Sequence, residues 1–131
     1  MAHAQPHRLL AVLIVEDEPL VRMNAVAMIE DAGFRTYEAA NADEAIVLLE
    51  KHADIRILFT DIDMPGSMDG LKLAHYVRER WPPVKIIVTS GHVQVGQQDM
   101  PRDAMFFAKP YRAMQIEGKL REFAIQAGSG Q

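Results

Sequence analysis

Cysteine is absent from the 131 residues, which excludes a disulfide framework, thiol catalysis and a thiolate zinc site and fits a reducing compartment. A long hydrophobic run is also missing. The longest, residues 9–15, is far too short to cross a bilayer, and Glu16, Asp17 and Glu18 follow it where a signal peptide needs small residues. Nor is there a basic excess. Fourteen Lys and Arg against eighteen Asp and Glu leave a net charge of −4, the wrong sign for a nucleic-acid surface. Internal repeats and a second domain are lacking too. What remains is the composition of one globular domain, 49% hydrophobic and 24% charged. A chain of this length buries roughly two thirds of its unfolded surface and needs no metal or disulfide staple.

Residues 1–8 are polar, carry Pro6, His3 and His7, and read as a flexible arm and not as a metal site. Residues 9–15 are apolar throughout, as in a strand covered on both faces. Pro19 then opens a helix that Gly33 stops. A short strand, 35–39, leads to Asn41, a good N-cap with Glu44 three residues on; Ala42, Ala45, Ile46 and Leu49 follow on one helical face. The stretch 57–60 is a buried strand that delivers Asp61 to its C-terminal end, before Pro65, Gly66 and Gly70 turn the chain. A helix over 70–80 ends at Trp81-Pro82-Pro83, and 85–89 is the fourth strand. Residues 92–101 lack a 3.6-residue stripe, so a helix there is expected to be short or mobile. A fifth strand, 105–108, ends at Lys109-Pro110, and a last helix over 112–126 precedes a tail, 127–131, expected to be disordered.

Strands that alternate with helices imply an α/β fold, a doubly wound five-stranded parallel sheet with helices on both faces. The C-terminal ends of parallel strands share one edge, where ligands bind. That edge gathers Glu16, Asp17, Asp61, Thr89, Ser90 and Lys109. Carboxylates about 4 Å apart repel by roughly 4 kcal/mol at an effective dielectric of 20, so a cation is the natural remedy. With oxygen ligands alone, a hard ion such as Mg²⁺ fits, Mn²⁺ being the alternative. A divalent ion beside a carboxylate, a hydroxyl and a lysine makes a site for a phosphoryl group, with Asp61 the candidate nucleophile.

From residue 9 to about 123, the chain resembles the receiver domains of two-component response regulators, of the single-domain, chemotaxis-regulator-like type. Four motifs carry the likeness in order: Glu16-Asp17, Asp61 followed by Met64-Pro65 and Met68-Asp69-Gly70, a hydroxyl plus small residue after the fourth strand, and Lys109-Pro110. The resemblance implies a flavodoxin-like sheet of order 2-1-3-4-5 over residues 9–126. It implies that Asp61 accepts a phosphoryl group from a sensor histidine kinase or phosphotransfer protein, and that Lys109 pairs with phosphoryl oxygen. Glu16, Asp17, Asp61 and the backbone carbonyl of Asp63 would hold Mg²⁺, and the Lys109-Pro110 bond would be cis. Ser90 is the preferred switch hydroxyl, because Gly91 leaves room beside it, with Thr89 the alternative; Phe106 stands at the switch aromatic position.

The implied protein is a cytoplasmic phosphoacceptor switch and not an enzyme, with self-phosphorylation from small donors and self-dephosphorylation. It would lack an effector domain, bind a downstream protein, and be a monomer or a weak phosphorylation-dependent dimer, without nucleic-acid or membrane partners. Three features depart from the family: the loop 64–70 is one residue longer than its commonest form, Phe106 lacks the hydroxyl of the tyrosine often found there, which makes inward packing less costly, and 90–104 is short for a full helix. Asp63 and His92 would flank the phosphoryl group. A receiver excised from a longer regulator, a Mg²⁺-dependent phosphohydrolase using Asp61, and a flavodoxin-like cofactor binder are the alternatives. The hydrolase lacks a substrate-specificity segment, and the flavin binder lacks a phosphate loop after the first strand.

Overall fold

The chain forms a five-stranded parallel sheet in the order β2-β1-β3-β4-β5, as the resemblance implied. The structure, a computed structural model, describes residues 10–129, with side chains to 126. The expected arm, 1–8, lies outside the described residues. The strands are β1 (Ala11–Val15), β2 (Arg35–Ala39), β3 (Ile55–Asp61), β4 (Lys85–Ser90) and β5 (Met105–Ala108). The helices are α1 (Pro19–Asp31), α2 (Ala42–Lys51), α3 (Gly70–Arg80) and α4 (Ala113–Ser129).

Strand β1 is buried at every position because helices cover both faces. Val12 and Ile14 pack with Ala25 and Ile29 of α1 and Ile116 and Leu120 of α4. Leu13 and Val15 pack on the other side with Ala45 and Leu49 of α2 and Leu73 and Val77 of α3. The period of two along each strand thus sorts the apolar residues into two cores.

Caps set where the helices begin. Pro19 occupies the first turn of α1, where its missing N–H costs nothing. Asn41 accepts from Glu44 N at 2.9 Å, and the Glu44 carboxylate reaches back to Ala40 N at 2.8 Å, one residue earlier than in the usual capping box. Asp69 caps α3 by accepting from Lys72 N at 2.9 Å.

Between β4 and β5, a single 3₁₀ turn at Gln97–Asp99 takes the place of a helix. The expectation of a short element is met. This segment is strapped to α3 through its backbone: His75 Nε2 lies 2.8 Å from the carbonyl of Asp99, and Arg78 Nε donates to the carbonyl of Arg102 at 2.9 Å. At the other end of the chain α4 continues to Ser129, so 127–129 are helical where a disordered tail was expected. Gly and Ser cost a helix only about 1 kcal/mol or less each, too little to end it.

Candidate functional site

The parallel register brings the four strand ends together. Asp61 stands opposite Thr89, and Ser90 opposite Ala108. Hydrogen bonds past the strand ends extend the ladder: Glu16 N to Ala39 O at 3.0 Å, Ile62 N to Thr89 O at 2.8 Å, and Lys109 N to Ser90 O at 2.9 Å. The Lys109-Pro110 bond is cis.

At this edge, carboxylate oxygens of Glu16, Asp17 and Asp61 lie within 4.8 Å of one another. Asp61 is only 6% exposed. Lys109 Nζ sits 3.2 Å from Asp61 Oδ1 and 3.4 Å from Glu16 Oε1. Lys109 thus bridges the two buried carboxylates. Three carboxylates and one ammonium carry two net negative charges. Each carboxylate pair repels by about 3 kcal/mol at an effective dielectric of 20.

The titration behaviour follows from this crowding. Burial pushes the Asp61 carboxyl above its ordinary range; Asp63 and Asp17 add to the rise, and Lys109 opposes it. Glu16 is likewise raised by burial, against the pull of the Glu18 N–H and Lys109. For Lys109, burial alone would lower the value, but Asp61 and Glu16 outweigh it and the net shift is upward. The site favours any arrangement that adds positive charge.

A cleft of about 260 Å³ opens over the cluster, lined by Glu16, Asp17, Asp61, Asp63, His92 and Lys109 among others. Of the remaining expected site residues, Ser90 reaches this group through Asp63, to whose Oδ2 it donates at 2.9 Å. Thr89 is buried in register with Asp61, and Phe106 packs half-buried against the core on the α2 and α3 side; neither lines the cleft. The loop after Asp61 is closed by Met64 N and Gly70 N, which both donate to the carbonyl of Ile62, and is pinned to α2 by Ser67 Oγ donating to Asp43 at 2.8 Å.

Two residues at the site escape the sequence reading. Arg22, from the first turns of α1, donates through Nη1 to the carbonyl of Glu16 at 2.8 Å and through Nε to Glu38 at 3.2 Å. Tyr111, just past the cis bond, packs edge-on against Phe59 at 6.0 Å between ring centroids, with its hydroxyl pKa raised by burial. The only advance signal was adjacency to Glu16-Asp17 and to Lys109-Pro110.

A family model for the response regulator receiver domain matches residues 12–121. The chain belongs to this family. Among the relatives of this receiver, the response regulator receiver protein CpdR of Brucella abortus is 31% identical over 119 residues, covering 88% of this chain and 98% of CpdR. The sensor kinase CckA of the same organism is 34% identical over 115 residues, 85% of this chain. There the chain spans 12% of its relative, and it spans 18% of an NtrX-like putative regulator of Rickettsia bellii, so it corresponds to one segment of those proteins. Among solved structures, the receiver domain of the hybrid histidine kinase CckA aligns with a TM-score of 0.72 at 27% identity, covering 87% of this chain and 98% of that one. A receiver protein of Sinorhizobium medicae aligns with a TM-score of 0.82 at 24% identity over 90% of this chain and 96% of that one, which bears on the fold alone. No helix among the described residues is long and apolar enough to cross a membrane.

The acidic cluster of this receiver fits a hard divalent cation. All its donors are oxygens, and its net charge of two is balanced by such an ion.

Proposed function

We propose that this receiver accepts a phosphoryl group on Asp61 from a phosphohistidine of a sensor kinase or phosphotransfer protein, and that the modification switches its binding to a downstream protein. The observation that carries the reading is the placement of the Asp61 carboxylate: buried, 3.2 Å from Lys109 Nζ and inside a three-carboxylate cluster that lines the cleft. A carboxylate so placed faces the cleft beside an ammonium that can neutralise an incoming phosphoryl group. An Asp61 oxygen attacks phosphorus in line, the new P–O bond forms as the P–N bond breaks, and the electron pair leaves on the imidazole nitrogen. Lys109 stays near the attacking oxygen and pairs with a phosphoryl oxygen. Glu16, Asp17, Asp61 and the Asp63 carbonyl would hold Mg²⁺ or Mn²⁺, which supplies neutralisation of the phosphoryl charge when bound. Ser90 is the switch hydroxyl, reached from the cleft through Asp63, and Phe106 is the switch aromatic, packed against the core in the unmodified state.

The donor protein docks beside the cleft. A groove lined by Val21, Ala25, Met28, Pro110 and Tyr111 runs to Lys109, and Leu20 and Met23 stand exposed on the same helix. A histidine-bearing donor seated there would lie beside Lys109, which pairs with Asp61 at 3.2 Å. The chain then acts in the cytoplasm as a stoichiometric switch.

The test is incubation with Mg²⁺ and acetyl phosphate. One acid-stable, base-labile adduct per chain, lost in Asp61→Asn, supports the reading. Sustained hydrolysis of varied phosphate esters, or no labelling either by acetyl phosphate or by any histidine kinase, overturns it.

A further inference from the structure

Ser90 has no unused hydrogen-bonding capacity. A serine hydroxyl offers one proton and two lone pairs. Here the proton goes to Asp63 Oδ2 at 2.9 Å, while Oγ accepts from His92 N at 3.1 Å and Val93 N at 2.9 Å. The residue is 2% exposed, so water does not compete for it. The oxygen therefore ties the loop after β3 to the first residues of the segment that bears the 3₁₀ turn.

We infer that Asp63 is a positioning residue that holds the Ser90 hydroxyl in the unmodified receiver and must release it for the switch to occur. The inference rests on the phosphoacceptor reading. A phosphoryl group on Asp61 needs a donor from Ser90, and the single proton cannot serve Asp63 and the phosphoryl group together. The phosphoryl group also brings up to two negative charges next to the Asp63 carboxylate, which lines the same cleft. Repulsion then weakens the competing acceptor as the new one arrives. When Ser90 Oγ swings away, the amides of His92 and Val93 lose their acceptor, and the segment they begin is freed at its β4 end. Its other end stays strapped to α3 by His75 and Arg78.

The experiment measures beryllofluoride binding at saturating Mg²⁺, by calorimetry, in the wild type, Asp63→Ala, Ser90→Ala and the double variant. Deleting Asp63 removes a charge as well as an acceptor, so it tightens binding in any case. If Asp63 acts through Ser90, the gain is about tenfold larger with Ser90 present than in the Ser90→Ala background, the size expected for one charge-assisted hydrogen bond. An equal gain in both backgrounds overturns the inference and leaves only electrostatics. Water-exchange NMR on the wild type provides the second readout: beryllofluoride should raise exchange at the His92 and Val93 amides several-fold, and unchanged exchange refutes the release. A wild type that binds beryllofluoride with neither amide affected sinks this inference alone; one that does not bind it sinks the phosphoacceptor reading as well.

Discussion

Gly70 opens α3 directly against the backbone of the acceptor strand. An alanine Cβ there would lie 1.8 Å from the carbonyl oxygen of Asp61, 2.6 Å from its carbon and 2.8 Å from Ile62 Cα. All three are backbone atoms, so no rotamer change relieves the clash. Helix and strand must part until the first distance approaches the 3.4 Å of ordinary contact. That movement also stretches the 3.0 Å bond from Gly70 N to Ile62 O. Overpacking costs about 1–3 kcal/mol, and a lost hydrogen bond about 1, against a gain of up to about 1 from replacing glycine in a helix. The net for Gly70→Ala is a loss of about 1–4 kcal/mol, or on the order of 10 °C in melting temperature for a domain of this size.

The matched control is Gly118→Ala in the exposed middle of α4, where an added Cβ meets nothing within 4 Å. The same substitution there should stabilise by about 1 kcal/mol through helix propensity. Urea denaturation followed by circular dichroism measures both. Acetyl phosphate labelling should fall in Gly70→Ala, because the displaced backbone carries Asp61, and stay unchanged in Gly118→Ala. A Gly70→Ala protein within about 0.5 kcal/mol of wild type, or a Gly118→Ala protein destabilised as much as Gly70→Ala, would refute the close-approach argument.

Three further outcomes can be checked. In metal-free buffer, Asp61→Asn should be more stable than wild type at pH 7–8, with the difference shrinking as pH falls. Burial raises Asp61 in the folded state, so its contribution is fully present below the ordinary carboxylate range and is lost as pH rises through the raised value; a difference constant with pH contradicts this. Mg²⁺ at a hundred times its dissociation constant should stabilise the wild type by about 2.7 kcal/mol, and thermal melts of Asp17→Asn should show far less of this effect. Arg22→Gln should lower stability by about 1 kcal/mol through loss of the 2.8 Å bond to the Glu16 carbonyl, and should weaken Mn²⁺ binding in calorimetry several-fold. Unaltered Mn²⁺ affinity would show that Arg22 does not position the Glu16-Asp17 turn.

The parts of the structure that obey a period were legible in the amino-acid sequence. The apolar run before Glu16 and the alternation with helices demand a doubly covered parallel sheet, and parallel strands must carry Glu16, Asp17, Asp61 and Lys109 to one edge. The same logic located the Asn41 cap and the ends of α3. Features that depend on side-chain direction across long sequence separations were not legible. Arg22 is held between the Glu16 carbonyl and Glu38, sixteen residues further on, and no motif encodes that second partner. Ser90 was favoured for the small residue beside it; its three bonds to Asp63, His92 and Val93 depend on how the loops on two strands meet. The longer loop 64–70 finds its anchor in Asp43 of α2, through a serine that carries no motif.

The straps from α3 to the segment between β4 and β5 have a consequence for divergence. His75 and Arg78 grip carbonyl oxygens, and every residue type supplies a carbonyl. The side chains of Gln97, Gln98, Asp99 and Arg102 can therefore be exchanged without loosening the attachment. The fastening is written in α3, while the exposed lettering of the segment is free to drift. A receiver built this way can acquire a new binding partner by rewriting a few surface positions, and its acceptor chemistry need not change with them.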